Sequence, residues 1–231
     1  MYYGNNSLWG IQGDGPMVRP YSAREEIAHS ATHALGVVGS FVGIAWVIMS
    51  ATLRSDPWRT AGGIAFGITA LLLFGTSTFY HAARAPRAKE VLQKLDHSAI
   101  YLMIAGTYTV FTIGVMRGPF AWTLFGIIWL LSVSGIAAEF VGRVRKPVRS
   151  ALLYLAMGWL GIVAVKQLVV SLTSWQLAWL LAGGIAYSCG VPFYVWKSRP
   201  YTHTVWHLFV LAGVACHFVA VLSVVNTPPA P

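Results

Sequence analysis

Charged side chains are scarce in this 231-residue sequence, where Asp, Glu, Lys and Arg make up only 10 % of the residues. A soluble domain carries about 25 %. The hydrophobic share is 56 %, and the few charges stand in short clusters between long apolar runs. This distribution excludes an ordinary water-soluble globule and predicts a membrane protein with several spans.

Acidic residues and cysteines are also few. Seven Asp and Glu against sixteen Lys and Arg give a net charge of +9. No basic helix interleaved with aromatic residues accompanies this charge, so we expect membrane lipids as partners and no nucleic acid. Cys189 and Cys216 lie in separate apolar runs, which predicts small buried residues and excludes a disulfide scaffold. Residues 1–24 contain no continuous apolar core, so no cleavable signal peptide is expected.

Seven apolar windows are long enough to span a bilayer, since a span needs about 20 residues. Short linkers separate them, so we predict an all-α membrane protein with a single seven-helix bundle over residues 25–225. A polar N-terminal tail (1–24) and a short C-terminal tail (226–231) flank it. The predicted spans are 27–51, 58–82, 97–116, 119–139, 150–171, 175–197 and 203–225.

Basic residues predict the orientation of the bundle. Twelve of the sixteen fall in the N-terminal tail and in the second, fourth and sixth loops, and four fall on the other side or at its edge. The excess predicts a cytoplasmic N-terminus and an external C-terminus, in a multi-pass protein of the cell membrane. The twelve are Arg19, Arg24, Arg84, Arg87, Lys89, Lys94, Arg143, Arg145, Lys146, Arg149, Lys197 and Arg199, and the four are Arg54, Arg59, Arg117 and Lys166.

An ionisable side chain in the hydrocarbon core of a membrane costs free energy, so a protein keeps one there mainly for a function. The position of such residues along the predicted spans therefore indicates where a functional site lies. His81 ends the second predicted span, and His203 and His207 begin the seventh, all on the cytoplasmic side. His203 and His207 are four residues apart and project from one helix face. With His81 they form a candidate three-histidine metal site whose fourth position is left for water, as in catalytic zinc sites.

Asp96, at the predicted start of the third span, can orient or deprotonate that water. Ser77 lies one turn before His81 and can hydrogen-bond the water or a ligand oxygen. A nitrogen and oxygen donor set suits zinc, while iron and manganese stay open. Each residue also has a structural explanation: Asp96 as a helix N-cap, His81 at a favourable helix C-terminus, His203 at the interface and Ser77 bonded to its own backbone.

A rival pair begins the first span, where His29 and His33 are also four apart. The only acids nearby are Glu25 and Glu26, interpreted as solvating the interface. His217 lies ten residues beyond His207, about 15 Å along a helix, so we expect a buried hydrogen-bonding role for it. His97 is expected to be interfacial or to support the site indirectly.

Four stretches of the sequence resemble a known family. They are Glu25 to His33 (EEIAHSATH), Phe74 to His81 (FGTSTFYH), Lys94 to Tyr101 (KLDHSAIY) and Thr202 to His207 (THTVWH). Together they resemble the haemolysin III family, the bacterial branch of the progestin and adiponectin receptor superfamily, distantly similar to alkaline ceramidases. The resemblance runs from about Glu25 to Val221.

This resemblance implies seven helices, a cytoplasmic N-terminus and zinc near the inner face. It implies His81, His203 and His207 as the metal ligands, with Asp96 and Ser77 beside the bound water. More weakly, it implies a hydrolase acting on lipid amides. The long soluble N-terminal segment of the animal receptors is absent, so hormone recognition is not transferred. A residue other than histidine is expected at position 29 in many relatives.

Three functions compete at this point. The first is a zinc-dependent hydrolase of membrane lipid amides. The second is a non-catalytic sensor or lipid-homeostasis protein whose metal is structural. The third, a pore-forming haemolysin, has little physical support because the spans show no wide continuous polar face. Ion or proton transport stays open because His217 and Thr107 place polar groups deeper than the proposed site, but the chain of carboxylates that relays commonly use is absent from the predicted spans.

Overall fold

The computed structural model describes residues 21–54, 56–142 and 147–227, and every regular element in these ranges is helical. Arg19, Arg143, Arg145, Lys146 and most of both predicted tails lie outside them. The helices are α1 (Ala23–Arg54), α2 (Pro57–Ala82), α3 (Pro86–Thr109), α4 (Gly118–Phe140), α5 (Pro147–Trp159), α6 (Val165–Ser171), α7 (Ser174–Val195) and α8 (Thr202–Asn226). A π-helical segment, Val110–Met116, continues α3, and a 3₁₀ segment, Leu160–Ala164, joins α5 to α6.

Seven helical segments in the described ranges are long and apolar enough to cross a membrane. The fifth consists of α5, the 3₁₀ segment and α6, and the others follow the predicted windows except at the start of the third. Large apolar side chains cover the outside of the bundle, with Val170 87 % and Leu130 68 % exposed. Such a surface suits lipid rather than water. The fold class is confirmed as a seven-helix bundle.

The third helix begins earlier than predicted, at Pro86 instead of residue 97. Proline is favoured in the first turn of a helix because its missing N–H needs no partner there. The first turns of α3 are polar, so an apolar window could not detect them. Asp96 therefore lies about three turns inside α3, and its interpretation as an N-cap is wrong.

Helix α2 lies at the centre of the packing, where it contacts α1, α3 and α8. Its inward side chains Phe66 and Phe74 join Val110 and Val221 in the main core. Both cysteines are free, as expected. Cys189 is exposed on the bundle surface and Cys216 is partly buried, so the prediction that both are buried is wrong.

An ion-pair cluster lies at the end of the bundle where α2 begins. Asp56 caps α2 by accepting hydrogen bonds from the backbone N–H groups of Trp58 and Arg59. The Arg117 guanidinium, at the turn between α3 and α4, donates to both carboxylate oxygens of Asp56. Burial alone would raise the pKa of Asp56, but the hydrogen bonds and charges of Arg117 and Arg59 outweigh it and lower the pKa.

Candidate metal centre

The first turns of α1 and α8 are held together by one buried carboxylate. Glu25, only 2 % exposed, forms a capping box with Ser22, whose backbone N–H and hydroxyl both donate to Glu25 Oε2. Its other oxygen, Oε1, accepts from the backbone N–H of Tyr201 at 2.9 Å. Tyr201 directly precedes α8. The interpretation that Glu25 only solvates the interface is therefore wrong.

This junction brings the histidines of α8 against the end of α2. One ligand atom from each of His81, His203 and His207 lies within 4.8 Å of the others. The ring centres are 4.6 Å apart for the two α8 histidines, and 5.3 Å and 5.0 Å from His81 to His203 and His207. All three side chains are at least nine-tenths buried. The structure thus brings together the three residues predicted as ligands.

The second nitrogen of two rings is already engaged. His81 Nδ1 lies 2.6 Å from Glu26 Oε2, and His207 Nδ1 lies 3.1 Å from the His29 carbonyl oxygen. A carboxylate and a carbonyl oxygen accept, so Nδ1 carries the proton in both rings. Lys89 Nζ is 2.5 Å from Glu26 Oε1 and balances its charge. This arrangement leaves Nε2 of each ring as a lone-pair donor, which is how metal-binding histidines are usually oriented.

Buried polar atoms that make no hydrogen bond indicate whether a cation fits into the histidine cluster. Among the described residues, His81 Nε2, His203 Nδ1 and Ser77 Oγ are buried and make no hydrogen bond. Each such atom costs about 1–3 kcal/mol. Ser77 therefore does not bond back to its own helix, as the structural explanation of that residue required. Neutral imidazole nitrogens with a hydroxyl beside them fit zinc and exclude a hard cation that needs an all-oxygen shell.

Asp96 reaches this cluster from α3. Its partly buried carboxylate interacts electrostatically with His81 and lies near the Ser77 hydroxyl. Asp96 is outside the three-histidine group whose ligand atoms lie within 4.8 Å of one another. The structure therefore places Asp96 beside the candidate ligands rather than among them.

The rival pair of α1 belongs to the same cluster. The His29 ring centre is 4.6 Å from that of His81 and 4.9 Å from that of His203. His33 stacks on His207, with ring centres 3.7 Å apart and planes 12° from parallel. Tyr21 covers the cluster with its ring centre 5.3 Å from that of His203. The sequence presented two separate sites because the spacing of residues within one helix does not show which helices are neighbours.

Two other histidines have partners elsewhere. His217 Nε2 is 3.0 Å from the Leu180 carbonyl oxygen, which confirms its buried hydrogen-bonding role. His97 Nδ1 lies 3.5 Å from Glu139 Oε2 of α4, and Glu139 is 6 % exposed. Sequence reasoning missed Glu139, although it is the only acid after Asp96 in the chain and lies in an apolar run. A search for acids inside predicted spans would have found it.

Comparison with known proteins decides the family. The family model for haemolysin-III-related proteins matches residues 21–218. The chain belongs to the haemolysin III family. This haemolysin III family protein is 43 % identical to hemolysin-3 of Bacillus cereus over 201 residues, 86 % of this chain and 91 % of the relative. It is 41 % identical to the hemolysin-3 homolog of Bacillus subtilis (strain 168) over 202 residues, 87 % and 95 % of the two chains.

A more distant relative extends the comparison beyond bacteria. The haemolysin III family protein is 28 % identical to the human monocyte to macrophage differentiation factor over 213 residues, 89 % of this chain and 86 % of the relative. Similarity to the progestin and adiponectin receptor superfamily is therefore confirmed at a distance. With the seven apolar helices, these matches identify an integral multi-pass membrane protein.

Proposed function

We propose that this haemolysin III family protein binds zinc and hydrolyses an amide bond of a membrane lipid. The observation that carries the proposal is the convergence of three buried imidazoles from α2 and α8, with one ligand atom of each within 4.8 Å of the others. A buried hydroxyl and a carboxylate stand beside them. Three histidines with an open fourth position are the ligand set of a catalytic zinc rather than a structural one.

His81, His203 and His207 would hold the ion. A zinc ion in such a site lowers the pKa of a coordinated water to about 7 and polarises a carbonyl group. Glu26 fixes the His81 ring by accepting a hydrogen bond from its Nδ1–H group, with a distance of 2.6 Å between Nδ1 and Oε2. The carbonyl oxygen of His29 fixes His207 in the same way. These two bonds set both tautomers before a ligand arrives.

Asp96 and Ser77 would act on the substrate. The Asp96 carboxylate accepts the proton of the attacking water and returns it to the leaving amine, the usual work of a general base and acid. The Ser77 hydroxyl, which makes no hydrogen bond to its own helix and lies beside the Asp96 carboxylate, would donate a hydrogen bond to the substrate carbonyl oxygen. The cluster lies where α1 and α8 begin and α2 ends, and we propose that the amide group of a lipid reaches it from the headgroup region.

Substitution of Asp96 separates this proposal from its alternatives. In purified protein reconstituted in lipid, Asp96→Asn should lower the metal-dependent hydrolysis of ceramide-like substrates by about 10²–10⁴-fold. Its zinc content, measured by elemental analysis, should stay at the wild-type level. Glu90→Gln is the matched control, since Glu90 lies on the same helix, is exposed and faces Lys94 at 3.6 Å. Zinc-free wild type, or equal turnover by Asp96→Asn, would refute the hydrolase.

A structural metal in a sensor or lipid-homeostasis protein is the second candidate. It is favoured by the burial of the cluster at the junction of α1, α2 and α8, where one ion would tie helices together. In that case chelation would lower the thermal stability sharply, and Asp96→Asn would leave both stability and cellular phenotype intact. The same protein preparations distinguish the two functions.

A further inference from the structure

The rings of His29 and His33 are the two imidazoles of the cluster that the proposed site does not use, and His29 is the one whose ring lies close to all three candidate ligands. Its side chain is fully buried, at 0 % exposure. Within the described part of the chain, neither ring nitrogen has a hydrogen-bond partner. The nearest carboxylate oxygen, Glu26 Oε2, lies 3.8 Å from Nδ1, beyond hydrogen-bond distance. A polar ring buried this deeply without a hydrogen bond in the described part of the chain points to a missing ligand.

The arrangement of the rings identifies that ligand. His29, His81, His203 and His207 form six pairs whose ring centres are all between 4.6 and 5.4 Å apart. Nearly equal separations among four ring centres describe a tetrahedron. The ligand atoms of His29 group with those of Glu26 and His81 rather than with those of His203 and His207, so the His29 ring has to rotate to join the other three. With zinc–nitrogen bonds of about 2.0–2.1 Å, four imidazoles around one ion have ring centres about 5 Å apart. His33 does not fit this pattern because it stacks on His207 at 3.7 Å.

We propose that His29 is a fourth ligand of the same ion, occupying the position that hydrolysis requires for water. This inference rests on the proposed function and adds its regulation: with His29 bound the site is closed, and with His29 withdrawn it is open. Helix α1 thereby controls a centre whose other ligands lie on α2 and α8.

A partner for the withdrawn ring is already in place. Ligand atoms of Glu26, His29 and His81 also lie within 4.8 Å of one another, so a small rotation brings His29 Nδ1 to Glu26. The Tyr21 ring, at 4.7 Å and nearly perpendicular to that of His29, packs against it from outside. The His29 ring thus has two alternative partners, the metal ion and Glu26. It can move from one to the other because its nitrogen has a partner in both states.

The coordination shell of the full-length protein tests this assignment. Zinc-loaded wild type should give an X-ray absorption spectrum of four imidazole nitrogens, and His29→Ala one of three nitrogens and one oxygen. His29→Asn serves should the alanine variant fail to fold. The matched control is His33→Ala, one turn further along α1, which should keep the wild-type spectrum. Loss of a ligand should also weaken zinc binding at least tenfold, as read by competition with a chelator.

A second measurement uses cobalt(II) in place of zinc. Azide should change the visible spectrum of the cobalt-loaded His29→Ala protein strongly and that of wild type weakly, because only the variant has an open position. A wild-type shell of three nitrogens and one oxygen, unchanged in His29→Ala, would overturn the role of His29 and leave the proposed function standing. Two ions per chain, one of them lost in His29→Ala, would overturn it in favour of a separate Glu26–His29–His81 site. A metal-free wild type would overturn both proposals.

Discussion

At the scale of single residues, Glu26 shows how a carboxylate outside the ligand set can control a metal site. Its oxygens lie 2.6 Å from His81 Nδ1 and 2.5 Å from Lys89 Nζ. We expect Glu26→Gln to weaken zinc binding about 10–100-fold, because the His81 ring loses basicity and a fixed orientation. Chelator competition on purified protein measures the Kd.

Its neighbour supplies the control. Glu25→Gln removes a charge one position away, but Glu25 contacts Ser22 and Tyr201 and belongs to neither group of candidate ligands. This variant should lower the thermal stability and change the zinc Kd less than Glu26→Gln. Equal Kd values for wild type and Glu26→Gln would contradict the role given to Glu26.

Asp56 makes a prediction about pH. Its pKa is lowered below the ordinary value of 3.8, so the folded state binds this proton less readily than the unfolded state. The ion pair therefore contributes stability above pH 3.8, and the contribution is lost as the pH falls through the lower, folded pKa. Asp56→Asn, which can still cap α2, should be about 1 kcal/mol less stable than wild type at pH 7.

Thermal unfolding in detergent at several pH values measures this difference. It should shrink as the pH falls below 3.8, where wild-type Asp56 becomes protonated like the neutral variant. Arg117→Gln should reproduce the loss at pH 7, because Arg117 donates to both oxygens of Asp56. A difference that is independent of pH would show that the charge of Asp56 does not stabilise the fold.

At the scale of helices, the contact of α2 with the π-helical segment depends on one glycine. A Cβ atom added at Gly62 would lie 2.9 Å from the Val110 Cα, a backbone atom that cannot rotate away. Gly62→Ala should destabilise the protein by about 1–3 kcal/mol, the usual cost of overpacking. Gly75→Ala, in the same helix but with nothing within 4 Å of its Cβ, should be neutral or slightly stabilising. Equal melting temperatures for the two variants would contradict this close packing.

Each helix could be predicted only as far as its residues form a continuous apolar run. Spans of apolar residues were found because hydrocarbon demands about 20 of them in a row, and the seven windows correspond to seven helical segments. The start of α3 was missed because Pro86 and the polar turns after it form helix outside that rule. The rotation of each helix about its own axis in the bundle could not be predicted either. Spacing put His29 and His203 each on one helix face, but only packing shows that the two faces meet.

At the scale of the whole molecule, the polar groups of the candidate site gather at one end of the bundle. The starts of α1 and α8 meet through Glu25 and Tyr201, and the end of α2 brings His81 between them. Alternation of seven antiparallel spans necessarily places these three helix ends on one side. The sequence predicted that shared side from topology alone, whereas the Glu26 and Glu139 contacts depend on how the helices pack.

The end of the bundle that holds the candidate site is predicted to face the cytoplasm, because basic residues are in excess in the N-terminal tail and the even-numbered loops. Single cysteines test this in a background with Cys189 and Cys216 replaced by serine. Ser198→Cys lies in the exposed turn before α8, and Ser171→Cys at the exposed end of α6 on the opposite side. A membrane-impermeant thiol reagent should label Ser171→Cys in intact cells and Ser198→Cys only after lysis. The reverse pattern would place the histidines outside, where any lipid substrate would have to come from the outer leaflet.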